Sequence, residues 1–423
     1  MPELSTDHSS ATLEGAHSHG GPRYVSSRAD RPTSFDPADI PVPRGREEEW
    51  RFTPMKRFAP LFDLDTIRAA TAAGETDAAA GAIRIETDLP DGARLETVSR
   101  SDARIGTVGA PVDRTGITAW NGTETATVLT LESGAQLDRA ARLNVVGQDA
   151  QLARPTAQHI LVAAESGAKG TVVLDHTGTA ALIQGVEVTV ADGAELTLVT
   201  VQGWEDAAVH ASNHRVKVSG RGVLKHVVVS LGGDVRICPD LGFSGEGGHI
   251  DAYGVYFTDA GQHQEHRPYV AHTEPHCYSR VTYKGALQGE GAHAVWVGDC
   301  LIGQAARGTD TYELNRNLVL TEGAKADSVP NLEIENGNIE GAGHASATGR
   351  FDDQQLFYLR ARGIPETEAR RLVVLGFFNE IVAEIGVDEV EERLMAAIEK
   401  ELELTGLIAA RTDQDPVAVP AAE

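Results

Sequence analysis

The feature that most constrains the fold is a turn of small residues that returns between short β-rich runs. The turns centred on Gly134, Gly167, Gly193 and Gly220 follow one another at intervals of about 26–33 residues, within the range of a repeat array. The intervening runs, such as residues 186–190, alternate apolar and polar side chains, as strands with one buried face do. This spacing predicts a parallel β-helix, in which each coil is buried only against its neighbours.

Two other fold classes fit the pattern less well. A β-sandwich also contains many short strands, but the length of the stretch that carries the repeat favours the solenoid. A Rossmann-type sheet needs helical patterns of 10–15 residues between strands, and no such pattern interrupts the repeat. The predicted fold class is therefore mainly β, with a solenoid core flanked by small helical segments.

Changes of pattern divide the chain into five predicted segments. These are a disordered tail at 1–33, an N-terminal helical unit and linker at 34–82, the parallel β-helix core at 83–350, a C-terminal helical domain at 351–410, and a disordered tail at 411–423. Apolar residues of the C-terminal domain recur every three and four positions, which predicts amphipathic helices that cap the open end of the solenoid. His8, His17 and His19 fall in the first tail and are interpreted as solvated.

Composition excludes several classes of function. The net charge of −25 argues against binding nucleic acid or an anionic membrane surface, since both need clustered Lys and Arg. No apolar run reaches the roughly 18 residues of a membrane-spanning helix, and the first thirty residues lack a signal-peptide pattern. The three cysteines form neither a disulfide framework nor a CxxC zinc motif. We therefore expect a cytoplasmic protein.

The common catalytic and nucleotide-binding motifs are missing from the sequence. It contains no GxxxxGK[ST] loop for ATP phosphates, no GxGxxG that opens a helix after a strand, and no GxSxG nucleophile elbow. These absences predict that the chain is not an enzyme and has no ATPase motif of its own.

The stretch from residue 263 to 277 is the densest in residue types that bind metals. His263, Glu265, His266, His272 and Cys277 offer imidazole, carboxylate and thiolate groups, which suit zinc or iron. Alternate residues of a strand point to opposite faces, so at most part of this set can converge. The alternative interpretation is a series of polar positions on solenoid strands, with Cys277 filling the core.

Two further places carry polar residues of interest. Asn315 and Asn317 share one face of a predicted strand, where an amide ladder is the common role. His344 stands alone among small residues, which predicts that another molecule can reach its ring.

The C-terminal part of the chain resembles the SufB/SufD family. The resemblance is carried by residues 331–334, the Gly-His-Ala segment around His344, residues 356–364 and residues 369–377. Residues 272–284 and 315–320 fit the same pattern. The specific motifs span roughly residues 260–385, and elsewhere only the order of domains is similar.

This resemblance implies a role in iron–sulfur cluster assembly. Members of the family have a right-handed parallel β-helix core, pair with each other as SufB and SufD, and each recruit a SufC ATPase through the C-terminal helical region. The expected partners are therefore a SufB-type paralogue and a SufC-type ATPase, with a homodimer as the alternative for the chain alone. No permanent cofactor is implied, only a transient cluster or iron at the SufB–SufD interface.

The paralogue indicated is SufD. Where a SufB-type chain has a cysteine this one has Asn315, and where SufB has glutamates beside its histidine this one has Gly343 and Ala345. A cysteine that other SufD chains place two positions before the histidine is Ala342 here. The resemblance implies that His344 is a candidate transient ligand for iron or a cluster. The implied partner-interface residues are Asn315, Asn317, His344, Phe357, Tyr358, Arg362 and Phe377.

Two alternative functions stay open at the level of the sequence. One is a parallel β-helix enzyme acting on a polysaccharide, for which Glu265, His266, Arg267 and Glu274 are the nearest catalytic candidates. The other is a SufB-type subunit that holds a cluster through displaced ligands, namely Cys238, Cys277 and Cys300.

Overall fold

The computed structural model describes residues 31–77, 79–351 and 353–404. The two tails predicted to be disordered, 1–33 and 411–423, lie almost wholly outside these residues, and so do His8, His17 and His19. The described residues from Pro32 onward form one compact unit.

The core of this unit is a β-solenoid of about eight turns, and the molecule is mainly β, with 45% strand and 19% helix. Two long sheets form its walls. Sheet A consists, in spatial order, of β1 (Ile83–Asp88), β4 (Ala141–Gln148), β6 (Lys169–Thr179), β8 (Glu195–Trp204), β10 (Val223–Ser230), β12 (His249–Thr258), β15 (Tyr278–Leu287), β17 (Asp310–Val319) and β19 (Gly341–Arg350). Sheet B consists of β2 (Ala93–Ser99), β3 (Thr125–Leu131), β5 (Thr156–Ala164), β7 (Ala181–Val190), β9 (Val209–Val218), β11 (Asp234–Phe243), the pair β13 (His263–His266) and β14 (Tyr269–His272), β16 (His293–Ile302) and β18 (Lys325–Ile334).

Strand pairing confirms the predicted parallel β-helix. Successive strands alternate between the two sheets, and the pairs from β3–β5 and β4–β6 to β16–β18 and β17–β19 are parallel. The glycines that marked the repeat in the sequence lie in left-handed turns between strands. Gly134, Gly167 and Gly193 have φ values of 72°, 71° and 72°, a left-handed conformation that glycine adopts without a Cβ penalty. Each turn therefore reverses the chain at the same corner of the coil.

The N-terminal end of the solenoid consists of two antiparallel strands, one in each sheet. β1 runs antiparallel to β4 and β2 antiparallel to β3, so each sheet ends on a strand of reversed direction. Next to this end, three helices cover the outer face of sheet B together with short 3₁₀ turns at Glu48–Trp50 and Ala59–Phe62. The helices are α1 (Met55–Phe58), α2 (Leu64–Thr76) and α3 (Arg114–Gly122).

Helix α3 lies within the segment 83–350 that was predicted as the β-helix core, and at nine residues it is shorter than the helical patterns considered there. It starts after Asp113, whose carboxylate accepts a hydrogen bond of 2.8 Å from the backbone N–H of Gly116. This N-cap satisfies a backbone group that has no partner within the helix. Burial of Ala119 against sheet B then stabilises a sequence with weak intrinsic helix propensity.

The C-terminal helices lie along the side of the solenoid. They are α4 (Asp353–Ala361), α5 (Glu366–Val382) and α6 (Asp388–Leu404). Phe378 and Leu394 belong to a cluster with Val199 and Val227, whose side chains point outward from sheet A. Arg393 forms a two-pronged ion pair with Asp175 of β6.

The prediction that these helices cap the open end is therefore wrong. The apolar outer face of sheet A is the larger surface in need of cover, and α5 and α6 pack on it. Among the helices of the described chain, none is long and apolar enough to cross a membrane.

Candidate functional site

The C-terminal end of the solenoid is open. β19 is the last strand of sheet A and pairs with β17, while β18 pairs with β16. Within the described ranges no further strand covers either edge. Most side chains of β19 are exposed. Free backbone N–H and C=O groups at such edges are a ready template for pairing with another chain.

His344 lies on this last strand, and its side chain is exposed. In the parallel register it is the direct neighbour of Glu313 on β17. Side chains at alternate positions of β17 face the solenoid interior, so Glu313 and His344 belong to an inward-facing row. The carboxylate of Glu313 is buried, at 1% exposure, whereas no further coil covers His344. The ring thus stands at the mouth of the solenoid, beside a buried acid.

Asn315 and Asn317 lie one strand below the open edge and are buried. Asn317 Nδ2 donates to Asn315 Oδ1 at 2.8 Å, Asn315 Nδ2 donates to the Tyr256 hydroxyl at 2.9 Å, and that hydroxyl donates to Asn317 Oδ1 at 2.5 Å. The two amides therefore share a strand face, as predicted, and close a hydrogen-bonded ring with Tyr256. Ser328 of β18 and Thr348 of β19 extend the ring to both terminal strands.

A hydroxyl relay crosses the same layer. His272 Nε2 is 2.8 Å from Ser279 Oγ, and Ser279 Oγ is 2.7 Å from Thr311 Oγ1. Thr311 contacts the Cys300 sulfur at 3.5 Å and is the register neighbour of Ala342. The interior behind the open end is therefore polar and hydrogen-bonded.

The three cysteines are buried and held as neutral thiols. Burial raises the pKa of Cys238 to about 12 and that of Cys300 to about 12, and it also raises the pKa of Cys277. A thiolate, the form that binds metals, is therefore strongly disfavoured at all three positions. Cys277 fills the core, as its alternative interpretation predicted.

The residues of the 263–277 stretch point in different directions. Gln264 and His266 face the interior, whereas His263 and Glu265 face outward from sheet B, where Glu265 pairs with Arg236 at 3.3 Å. Among the residues that the structure describes, no three or more His, Cys, Asp or Glu side chains are placed to hold a metal ion.

The residues considered for a polysaccharide-cleaving site are not brought together either. Glu265 is buried in ion pairs with Arg236 and Arg267, the latter at 3.1 Å. His266 lies on the opposite face of the same strand, and Glu274 lies in the turn that follows β14. No pair of these carboxylates faces a common groove in the described chain.

The remaining predicted interface residues lie on the C-terminal helices. Phe357 is 73% exposed and Tyr358 is 57% exposed on α4, and the Arg362 guanidinium lies 4.7 Å from the Tyr358 ring. Phe377 of α5 is partly buried, with Lys284 Nζ 5.4 Å from its ring. Phe357 and Tyr358 thus form an exposed aromatic surface on α4, whereas Phe377 packs against the apolar cluster on the outer face of sheet A.

Sequence reasoning missed four residues at the open end: Glu313, Tyr256, Ser328 and Thr348. The sequence did contain one signal. Polar residues at 313, 315 and 317 alternate with others along one strand, which places all three on one face. Tyr256, Ser328 and Thr348 come from other turns, so only the register between strands brings them to this face.

Comparisons with known proteins find the same family that the C-terminal motifs resemble. A family model described as "SUF system FeS cluster assembly, SufBD core domain" matches residues 145–377. An iron–sulfur cluster assembly SufBD family protein of Mycobacterium tuberculosis is 49% identical over 379 residues, which cover 88% of this chain and 92% of that protein. One of Mycobacterium leprae is 46% identical over 379 residues, 88% of this chain and 93% of that protein. The assembly protein SufD of Bacillus subtilis is more distant, at 28% identity over 251 residues, 58% of this chain and 57% of that protein.

Proposed function

The chain belongs to the SufBD family of the SUF system for iron–sulfur cluster assembly, and from this membership we propose that it is a SufD-type, non-catalytic scaffold subunit. The membership confirms the resemblance carried by the C-terminal motifs. In the proposed role the chain pairs with a SufB-type paralogue and recruits a SufC-type ATPase. A growing cluster, or its iron, is transient cargo at the seam between the two scaffold subunits.

One observation carries this proposal: the last turn of the solenoid is open, and His344 stands at its mouth. An unpaired strand edge favours pairing with a similar edge of a paralogue, and this supports the proposal that His344 lies at the seam. An imidazole nitrogen is a suitable ligand for iron, and partner thiolates supply the softer ligands of a cluster.

The SufD-type assignment is supported by the side chains behind the edge. Asn315, at the position where the resemblance places a SufB cysteine, is locked into a ring with Tyr256 and Asn317. The chain's own cysteines are buried neutral thiols. The chain is therefore suited to contribute an imidazole to the site and to leave thiolate chemistry to its partner.

Recruitment of the ATPase is assigned to the aromatic surface on α4. Phe357 and Tyr358 expose large apolar side chains on one short helix, and such side chains mark contact surfaces when they cluster. Since α5 and α6 pack along sheet A, a pull on these helices is transmitted to the solenoid wall.

The site claim is tested with His344→Ala in the reconstituted three-protein complex. We expect the complex to form normally while cluster assembly falls at least about tenfold, as for loss of one positioned ligand. His249→Ala is the matched control, because His249 is a partly exposed histidine on β12 of sheet A, three strands away from β19 at the open end. Undiminished assembly with His344→Ala, or an equal fall with His249→Ala, would reject the role of His344.

The pairing claim is tested with two isoleucines at opposite ends of the solenoid. Ile334 is 48% exposed on β18 at the open C-terminal end of the solenoid, and Ile85 is 39% exposed on β1 at the N-terminal end. A buried carboxylate at an interface is costly, so Ile334→Asp is expected to weaken binding of the SufB-type partner at least about tenfold, or ~1.4 kcal/mol. Ile85→Asp should leave the dissociation constant unchanged. Equal effects of the two substitutions would place the interface elsewhere.

The ATPase claim is tested by binding of the SufC-type protein to Phe357→Ala. Truncating a well-exposed aromatic anchor of an interface typically costs about 2 kcal/mol or more, which is roughly thirtyfold in the dissociation constant. Tyr312→Ala is the control, because Tyr312 is an aromatic residue 42% exposed on β17 rather than on the helices. Binding that survives Phe357→Ala at full strength contradicts this part of the proposal.

A further inference from the structure

The middle turns of the solenoid enclose four histidines that no part of the proposed function uses. His210 and His214 lie on β9, His176 on β6 and His226 on β10, and each is 0% exposed. The His176 and His210 ring centroids are 4.9 Å apart, and His214 Nδ1 is 3.0 Å from His226 Nε2. We refer to His176, His210, His214 and His226 as the histidine core.

All four rings are neutral. Burial lowers the pKa of each, in His210 and His214 well below the usual value and in His226 to about 4. A neutral imidazole has one N–H donor and one bare acceptor nitrogen. The hydrogen bonds around each ring therefore determine which nitrogen holds the proton.

Both ring nitrogens of His176 have a hydrogen-bond partner. Its Nδ1 is 3.0 Å from the Val201 carbonyl oxygen, so Nδ1 carries the hydrogen and donates. Its Nε2 accepts from Gln184 Nε2 at 2.9 Å.

His210 has an N–H group without a protein partner. Trp204 Nε1 donates to His210 Nδ1 at 3.2 Å, so Nδ1 is the acceptor and the hydrogen lies on Nε2. That Nε2 is buried and has no hydrogen-bond partner among the described residues.

His214 and His226 leave one donor and one acceptor between them. Their short contact joins His214 Nδ1 to His226 Nε2, so one of these two atoms donates and the other accepts. Whichever way the bond runs, one of the two outer nitrogens, His214 Nε2 and His226 Nδ1, has a hydrogen and the other does not. Both outer nitrogens are buried without a partner in the part of the chain that the structure describes.

Two glutamine amides add further donors to the same interior. Gln158 Oε1 accepts from Gln184 at 2.7 Å, and Gln202 Oε1 accepts from Ser230 Oγ at 3.4 Å. The Nε2 groups of Gln158 and Gln202 have no partner in the described chain. Gln202 is the register neighbour of His176, which places its amide beside the histidine core.

We propose that the interior of the middle turns binds a cluster of ordered water molecules, held by Gln158, Gln202, His210, His214 and His226. Buried polar groups in folded proteins are almost always hydrogen-bonded, to ordered water where no protein group serves. The unpaired set contains several donors and one acceptor, and water supplies both complements. A metal ion would find one bare ring nitrogen at most in this set, which is too few ligands to hold it. A buried anion would contact only neutral dipoles, which do not compensate for the free energy of removing the anion from water.

These waters also connect two halves of the interior network. Gln184, Gln158 and His176 form one half, and Gln202 bonds through Ser230 to His266 in the other. Water at the Gln202 amide joins them, so hydrogen bonding becomes continuous through the middle of the solenoid.

A crystal structure of the full chain at near-atomic resolution tests the proposal directly. We expect water density at hydrogen-bonding distance, about 2.7–3.2 Å, from His210 Nε2 and Gln202 Nε2. A dry interior overturns the proposal. Crystals soaked in sodium bromide test the other occupant, because an anomalous peak in this interior would assign the site to a halide and overturn the water assignment.

Solution measurements give an independent readout that needs no crystal of a variant. Oxygen-17 relaxation dispersion counts internal waters with long residence times, and the wild-type chain is expected to show them. Gln202→Leu should lose at least one, whereas Gln148→Leu, which changes an exposed glutamine at the end of β4, should lose none. Absence of long-lived water in the wild-type chain, or equal counts in all three proteins, overturns the proposal even if Gln202→Leu folds poorly.

Discussion

Mild acid should unfold this protein, because its interior histidines must take up protons when they become exposed. His226, His266 and His272 are buried, and burial lowers their pKa to about 4, about 3 and about 3. In the unfolded chain each titrates near the ordinary value of about 6.5. The unfolded state therefore binds more protons than the folded state below pH 6.5, and stability is lost as the pH falls through this range.

The size of the effect follows from the same three groups. Between pH 7.5 and 5.5 each histidine favours the unfolded state by slightly more than 1 kcal/mol, so the three together remove about 4 kcal/mol. That is a large share of a typical stability of about 5–15 kcal/mol. His210 and His214, whose pKa burial also lowers well below the usual value, act in the same direction.

Urea unfolding followed by tryptophan fluorescence at a series of pH values measures this loss. The slope of unfolding free energy against pH near 5.5 gives the protons taken up, and we expect about three or more. His226→Gln should reduce the uptake by about one proton, while Gln148→Ala, at an exposed site that carries no titratable group, should leave it unchanged. An uptake below one proton, or an unaltered slope in His226→Gln, would refute the reasoning.

Two further predictions concern packing and buried charge, and both are measured as free energies of unfolding in urea. Gly285→Ala should destabilise the fold by about 1–3 kcal/mol, because the added Cβ would lie 1.8 Å from the Tyr256 ring. The control Gly337→Ala has open space around the added Cβ and should change the free energy of unfolding very little. Equal effects of the two substitutions would contradict this prediction. Arg236→Met should cost about 3–5 kcal/mol, since it removes the cation paired with buried Asp113 and one of the two arginines paired with buried Glu265. Arg84→Met removes an exposed ion pair and should change stability by less than about 0.5 kcal/mol, so a similar loss in both would contradict the buried-charge argument.

Local chemistry is why the core fold could be predicted from the sequence. A left-handed turn requires glycine, so Gly134, Gly167 and Gly193 marked the corners of the coil. Alternation along the strands marked their inward faces. Helix α3 escaped prediction because its sequence has weak helix propensity and forms only against sheet B. The residues of α3 alone do not show that the segment packs against sheet B.

The placement of the C-terminal helices was missed for a different reason. Their apolar periodicity shows that one face is buried but not against what. The missing clue lay in sheet A, where Val227, Val228 and Val229 are consecutive and all buried. A continuous apolar run indicates a strand covered on both faces, so a helical layer outside the solenoid could have been expected.

The candidate site was only partly predictable. His344 stood out because small residues surround it, but its place on the terminal strand depends on the number of turns that precede it. Glu313 became a neighbour only through the register of β17 and β19. Registers between turns follow from packing of the whole stack, which the residues around His344 do not encode.

The two ends of the solenoid differ in the direction of their edge strands. At the end with β1 and β2 the last strand of each sheet runs antiparallel to its neighbour, whereas β18 and β19 at the other end run parallel to theirs. If molecules of one orientation stacked head to tail, the strands that met at each junction would therefore run in opposite directions. The uniform parallel repeat within one molecule would be interrupted at that junction, which works against the continuous parallel stacking typical of fibres.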